Sequence, residues 1–324
     1  MKAVVQERFG PPETLRFTDV EQPGIGPDDV LLRVHAAALN HYDWHVLRGD
    51  PYIARLGRVG LTRPKTRVGG VDAAGCVEAV GANVRTLRPG DEVYGFCSGA
   101  FAEYARAKAD LLAVKPAKLS FEEAAAIPTA ATTALRAIRE VGRVKPGDRV
   151  LVNGASGGVG TYAVQIAAAL EAEVTAVCST RNLELVRSLG AARVVDYTAR
   201  DFTDEPARYD VILDNIANHP LSRVRRALAA RGTLVLNAGG TPGQVFGEVG
   251  PMLRLTMAKS FTRQRLTILL PKEDRRELLA IGELIEAGKL RTVVGRTYPL
   301  ADVAQGLRLV ESGHVRGKIV VTAS

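Results

Sequence analysis

The run Asn153-Gly154-Ala155-Ser156-Gly157-Gly158-Val159-Gly160 constrains this chain more than any other stretch. It follows a short apolar strand, Arg149–Asn153, and opens an amphipathic helical pattern over Gly160–Ala169. Glycine at such a turn permits a sharp reversal and lets the backbone close on a pyrophosphate, whose charge then sits at a helix N-terminus. A turn that is glycine-rich only for packing would carry the same letters, so the surroundings decide. Strands at Glu173–Cys178, Arg193–Asp196, Asp210–Asp214 and Gly232–Asn237 alternate with helices at Asn182–Leu189 and Leu221–Ala229. That alternation predicts βαβ units, and hence an α/β domain with a doubly wound parallel sheet of the Rossmann kind.

The second strand bears on which dinucleotide such a turn would take. An NAD site sets an acid about 20 residues past the turn, on the ribose 2′-hydroxyl. Here Val174–Cys178 runs into Ser179-Thr180-Arg181 with no acid. Two hydroxyls and a guanidinium suit the additional phosphate of NADP, which Arg grips with a fork of charged hydrogen bonds. An exposed Arg opening the next helix is the plainer alternative. Further contacts are expected at the C-terminal strand ends, at Tyr197, Asn215 and Ala238-Gly239-Gly240. With Ala155, Ser156, Gly157, Gly158, Val159 and Gly160, these complete the cofactor set read from the sequence.

The flanks differ in character. Before Ser120, short strands (Val30–Val34, Val77–Val80, Asp91–Tyr94) are punctuated by Pro-Gly at 23–24 and 89–90 and by Gly-Gly at 69–70, which suggests a partly open barrel. A capping-box start at Ser120-Phe121-Glu122-Glu123 leads into an Ala-rich stretch, Pro128 interrupts it, and a second helix is expected over Thr132–Val141. After a strand at Arg265–Leu270 and a helix at Arg275–Ala287, the tail returns to the opening style with Arg291–Tyr298, Ala301–Glu311 and Lys318–Thr322. We therefore expect a Rossmann domain at 122–287 inserted between two parts of one barrel domain, 1–121 and 288–324.

Composition narrows the function classes. Only 3 Cys in 324 residues exclude a disulfide framework or a Cys-rich zinc lobe and fit a reducing, cytoplasmic setting. No uncharged apolar run reaches the roughly 20 residues of a membrane span. The net charge of +8 is scattered along the chain and aromatics make up 5%, so a nucleic-acid partner is not expected.

Several segments together carry a resemblance: Leu39-Asn40-His41-Tyr42-Asp43, Gly69–Gly75, Pro89-Gly90-Asp91-Glu92-Val93, Ala124–Thr129 with Thr133-Ala134-Leu135, Asn153–Gly160, and Gly317-Lys318-Ile319-Val320. Over essentially its whole length the chain resembles the zinc-independent quinone oxidoreductase branch of the medium-chain dehydrogenase/reductase superfamily. The resemblance implies a GroES-like catalytic domain built from both chain ends. It also implies that Asn40 and Thr133 lie beside the nicotinamide, with Asn40 able to donate its amide to a carbonyl oxygen. His45 and Tyr52 lie near positions where relatives carry substrate-facing Tyr, although the spacing after Gly49 departs from the pattern; His45 titrates near neutrality and would serve as a proton donor, or is simply a loop histidine. Asp43 reads as an orienting residue. Zinc-dependent relatives carry Cys where this chain has Asn40, and Gly-His-Glu where it has Gly70-Val71-Asp72, so no metal is expected.

Without a Lewis acid, reduction of a quinone or an α,β-unsaturated carbonyl asks least of the protein, because the conjugated carbonyl takes up the developing charge. The expected activity is NADPH-dependent reduction of such acceptors, with a non-catalytic NADPH-binding or redox-sensing protein as the alternative. The apolar 265–270 strand, in the position where relatives pair across a dimer, suggests a homodimer that extends the sheet. Gly247–Lys259, with Met252 and Met257, reads either as a cover over the substrate cleft or as a buried helix.

Overall fold

The computed structural model describes residues 1–50, 55, 60–204, 208–237, 262–270 and 272–323. Tyr52, Ala238, Gly239, Gly240 and the Gly247–Lys259 segment lie outside the described residues.

A six-stranded parallel sheet forms one half of the molecule. Its strands are β8 (Arg149–Asn153), β9 (Glu173–Cys178), β10 (Arg193–Asp196), β11 (Tyr209–Asp214), β12 (Leu228–Leu236) and β13 (Arg265–Ile268). They run in the spatial order β10-β9-β8-β11-β12-β13. The order therefore reverses between β8 and β11, and a doubly wound sheet holds its ligand in the crevice at such a reversal. Strand assignments from the sequence hold because both faces of this sheet are covered. Val150, Leu151 and Val152 are fully buried, as are Ile212 and Leu213, and continuous apolar runs mark buried parallel strands.

The other half is a barrel-like sheet, in which β3 (Asp29–Leu39) pairs with β4 (Asp72–Val80), β6 (Tyr104–Lys108) and β15 (Lys318–Thr322). Strands β5 (Glu92–Phe96), β7 (Leu112–Val114) and β14 (Val294–Pro299) extend it, and β1 (Lys2–Val5) and β2 (Arg16–Asp19) form a separate hairpin. The chain thus joins a Rossmann sheet to a GroES-like barrel whose strands come from both sides of it in sequence. The tail strand expected from Arg291 begins at Val294 and runs parallel to β15.

The helices are α1 (His41–Arg48), α2 (Phe121–Ala125), α3 (Pro128–Leu135), α4 (Gly158–Ala169), α5 (Leu183–Ser188), α6 (Leu221–Ala227), α7 (Arg275–Glu286) and α8 (Val303–Glu311). Two sequence expectations need correction here. Pro128 does separate two helices, but the second begins at Pro128 itself, where the missing N–H costs nothing, and not at Thr132; α3 continues as a π-helical stretch over Arg136–Gly142. Helix α4 is not amphipathic: every residue from Gly160 to Ala167 is buried, because α4 lies between the parallel sheet and α3.

One apolar cluster joins the halves, with Ala36, Tyr94 and Phe96 of the barrel packed in the same core as Ile127, Tyr162 and Ile166. Directional bonds fix that contact. Tyr94 Oη donates to the Leu278 carbonyl at 2.8 Å, and Gln165 exchanges two bonds with the Arg291 backbone at 2.9 and 3.0 Å. Cys76 and Cys97 are half-buried and Cys178 is buried, all three as free thiols.

Candidate active site

The glycine-rich turn has the shape its sequence implies. Gly154 sits at φ +76°, and a Cβ on Gly160 would fall 2.1 Å from the Gly154 carbonyl oxygen and 2.7 Å from Ala155 Cα. Both positions require glycine. Gly157, the N-cap of α4, is different: a Cβ there would meet only the Gly154 oxygen, at 3.5 Å. The space in front of the first unsatisfied N–H groups of α4 is therefore open, as a pyrophosphate needs. Ser156, Gly157, Gly158 and Val159 are partly exposed, whereas Ala155 is buried and spends its N–H on the Val177 carbonyl at 3.0 Å, supporting the turn from behind.

At the end of β9, Asn182 ties this turn to the next. Its side-chain amide donates to Ser156 Oγ at 3.0 Å and to Ser179 Oγ at 3.3 Å. Thr180 Oγ1 donates to Asp196 at 2.5 Å, and Thr198 supplies that carboxylate with two further bonds. Those hydrogen bonds, the one from Thr180 foremost, hold the Asp196 carboxyl below the usual range. No sequence signal marks this acid, because it lies on β10 and reaches Thr180 only through the parallel register that sets Asp196 beside Cys178. Arg181 donates one Nη to the His314 carbonyl at 2.9 Å, and a shallow pocket beside it is also lined by Arg296, His314 and Arg316. Tyr197 is half exposed at the end of β10.

Amides meet at the crossover between β8 and β11. Asn153 donates to Asp214 at 2.8 Å, Asn215 to the Asn153 carbonyl at 3.0 Å, and Asn237 to Asn215 Oδ1 at 2.8 Å. Asn215 is thus held at the strand ends, as the sequence placed it.

Facing the turn from the barrel is a buried polar cluster. Asn40, Asp43, Asp72 and Lys318 are each at most 7% exposed. The Asn40 amide donates to Asp72 Oδ2 at 3.0 Å, and its oxygen accepts from Lys318 Nζ at 2.5 Å. Thr129 bonds the same Asp72 carboxylate through its hydroxyl at 2.6 Å and its N–H at 3.1 Å. Asp43 closes a capping box with the Asn40 N–H at 2.8 Å, an orienting role as expected. Burial pushes the Asp43 carboxyl up to about 7, raises that of Asp72 and lowers the Lys318 ammonium, against the opposing pull of the ion pairs.

His45 lies one helical turn further on, with Nδ1 2.9 Å from the Asp50 carbonyl. That acceptor fixes the proton on Nδ1, and burial lowers the pKa of the ring. Thr133 is half-buried on α3. A pocket beside α1 is lined by Tyr42, Asp43, Val71, Cys97 and Phe101.

Comparison with known proteins agrees with this architecture. Residues 26–117 match the alcohol dehydrogenase GroES-like domain and residues 189–321 the zinc-binding dehydrogenase model. The chain is 33% identical over 326 residues to a chloroplastic quinone-oxidoreductase homolog of Spinacia oleracea, covering 96% of this chain and 95% of that protein. The chain belongs to the quinone oxidoreductase branch of the medium-chain dehydrogenase/reductases. This oxidoreductase is also 32% identical to the NADPH-dependent alkenal/one oxidoreductase of Arabidopsis thaliana chloroplasts, over 99% of the chain and 79% of that protein. The structure of the Coxiella burnetii quinone oxidoreductase superposes with a TM-score of 0.87 at 30% identity, covering 100% of this chain and 99% of that one.

The zinc in the name of one matched model finds no fitting donor set among the described residues around Asn40. Around Asn40 stand an amide, a carboxylate engaged by Thr129 and an ammonium 4.0 Å from that carboxylate, where a zinc ion needs three free ligands. Among the described residues, no group of three or more His, Cys, Asp or Glu is placed to hold a metal. Nor is any helix there long and apolar enough to cross a membrane.

Proposed function

We propose that this oxidoreductase is an NADPH-dependent, zinc-independent reductase of quinones or α,β-unsaturated carbonyl compounds. The observation that carries the reading is the approach left open at Gly157 with the Asn40 amide one lysine side chain away from the turn. The names of the relatives support it. A bound nicotinamide dinucleotide would supply the hydride. Gly157 admits its pyrophosphate to the N-terminus of α4, and Asn215 stands at the crevice between β8 and β11. Asn40 directs an amide N–H to a carbonyl oxygen, stabilising charge that develops there. His45 and Tyr52 are the further acceptor-side candidates and Thr133 the cofactor-side one; Ala238, Gly239 and Gly240 are assigned to the nicotinamide end from the sequence. Residues 122–287 are taken as the dinucleotide domain and the remainder as the catalytic one.

The preference for NADPH rests on Arg181, with Ser179 and Thr180 beside it. The Asp196 carboxylate is already satisfied by Thr180 and Thr198, and the pocket beside Arg181 is lined by further cationic side chains. Following absorbance with a panel of quinones and enals, using NADPH and NADH in parallel, tests the whole assignment. Tight binding without turnover on any acceptor would favour a binding or sensing protein. Arg181→Ala should weaken NADPH far more than NADH, and equal losses would remove it from the site. With the cofactor saturated, unchanged turnover in both Asn40→Ala and His45→Ala would exclude those two from the mechanism.

We also propose a homodimer through β13, a sheet-edge strand followed by the exposed Leu270. Sedimentation as a monomer at micromolar concentration would contradict it.

A further inference from the structure

Lys318 is buried, and its contacts reach both halves of the site; its significance rests on the reductase reading above. Its backbone neighbour Gly317 donates its N–H to the Ser156 carbonyl at 2.8 Å and forms a parallel bridge with Gly157. Gly317 sits at φ +64°, and a Cβ there would fall 2.2 Å from the Val293 oxygen, so only glycine brings this segment against the turn. The alkyl stem of Lys318 then runs past Gly158, where an added Cβ would lie 2.8 Å from Lys318 Cδ. The ammonium ends on the Leu39 carbonyl at 2.9 Å and on Asn40 Oδ1 at 2.5 Å.

The two ends of the Asn40 amide are therefore set by opposite charges, the ammonium at its oxygen and the Asp72 carboxylate at its nitrogen. Turning the amide over would replace two attractive contacts with two repulsive ones. In the orientation that results, the second amide N–H has only a long 3.4 Å contact with the Ala38 carbonyl, which leaves it for an oxygen outside the cluster. An ammonium at 4% exposure is costly to bury; burial lowers its pKa, and the nearby Asp72 and Asp43 carboxylates offset part of that cost.

We propose that Lys318 is a positioning residue: it fixes the orientation of the Asn40 amide and sets its distance from the glycine-rich turn, so that the donor meets the reactive end of the dinucleotide. The test compares the affinity of NADPH with that of its nicotinamide-free counterpart, 2′-phospho-ADP-ribose, by calorimetry. Should NADH bind more tightly, NADH and ADP-ribose replace them. Lys318→Met and Asn40→Ala should each weaken the dinucleotide about tenfold, the order of one hydrogen bond. The nicotinamide-free ligand should stay within about twofold, and the double variant should lose no more than the weaker single one, because both changes remove the same contact. Unchanged dinucleotide affinity in Lys318→Met, equal losses for the two ligands, or losses that multiply would each overturn the proposal. If Lys318→Met does not fold, Lys318→Gln, which keeps a donor without the charge, is read in the same way. Turnover on the acceptor panel is scored separately: a wild-type protein that reduces nothing refutes the reductase reading, while the binding comparison still decides the role of Lys318.

Discussion

Two glycines in one turn, three residues apart, should respond to the same substitution in opposite ways. Gly157 has ordinary extended geometry at φ −80°, and a Cβ there meets nothing closer than 3.5 Å. Gly157→Ala should thus fold normally, since exchanging glycine for alanine at an N-cap costs about 1 kcal/mol or less. The added methyl does, however, occupy the approach to the N–H groups of α4. If it displaces one charge-assisted hydrogen bond to a pyrophosphate, about 1.5–3 kcal/mol is lost, or roughly 10- to 100-fold in affinity. At Gly160 the methyl would instead stand 2.1 Å from a backbone oxygen and 2.7 Å from a backbone Cα. An ordinary contact needs about 3.4 Å, so the turn must shift by about 1 Å or α4 must tilt, at a cost of about 1–3 kcal/mol in stability. Gly160→Ala should therefore lower Tm as well as affinity. Thermal denaturation without ligand, paired with NADPH titration by fluorescence, separates the two. Gly157→Ala binding like the wild type while melting earlier would refute the placement of the dinucleotide on α4.

Other outcomes follow from the buried groups. The Asp43 carboxyl is raised in the fold to about 7 from an ordinary value near 4, so between these limits the folded protein binds the extra proton. Stability should accordingly fall as pH rises through that window, by at most about 1.4 kcal/mol per pH unit for one proton; urea denaturation of Asp43→Asn should show a flatter profile, and an unchanged slope would discount Asp43. Asp72→Asn puts amide hydrogens against donors from Thr129 and Asn40 and should cost about 2–4 kcal/mol in chemical denaturation. Tyr94→Phe leaves the Leu278 carbonyl without its partner across the two halves and should cost about 1–2 kcal/mol, read as a lower Tm.

The parallel sheet was legible because its inner strands are buried on both faces and the gaps carry turn chemistry. Arg149–Asn153, Glu173–Cys178 and Arg193–Asp196 end where their apolar runs end. Pro128 marked a real helix break, but not that the new helix begins on the proline itself, which only the backbone shows, with Ile127 at its N-cap. The amphipathic reading of α4 failed because its alanines carry no signal of which face they cover. The polar cluster lay beyond the sequence for a different reason. Asp72 is 32 residues from Asn40 and Lys318 is 278 residues from it, and strand register alone brings them together. Local motifs marked Asn40 with a role, while the marked segments that contain Asp72 and Lys318 carried no sign of what those two side chains hold.

The pairing of β3 with β15 also has a consequence for how the chain is made. The central strand of the barrel leaves the ribosome long before its partner, since Leu39 and Lys318 are 279 residues apart. Throughout that interval Ala36–Leu39 has one edge unpaired, and the parallel sheet, whose pairings are closer in sequence, is complete before the barrel can close. Nascent chains arrested before residue 318 should therefore present a formed dinucleotide sheet beside an open barrel edge. That edge is where a chaperone would be needed and where two unfinished copies would exchange strands.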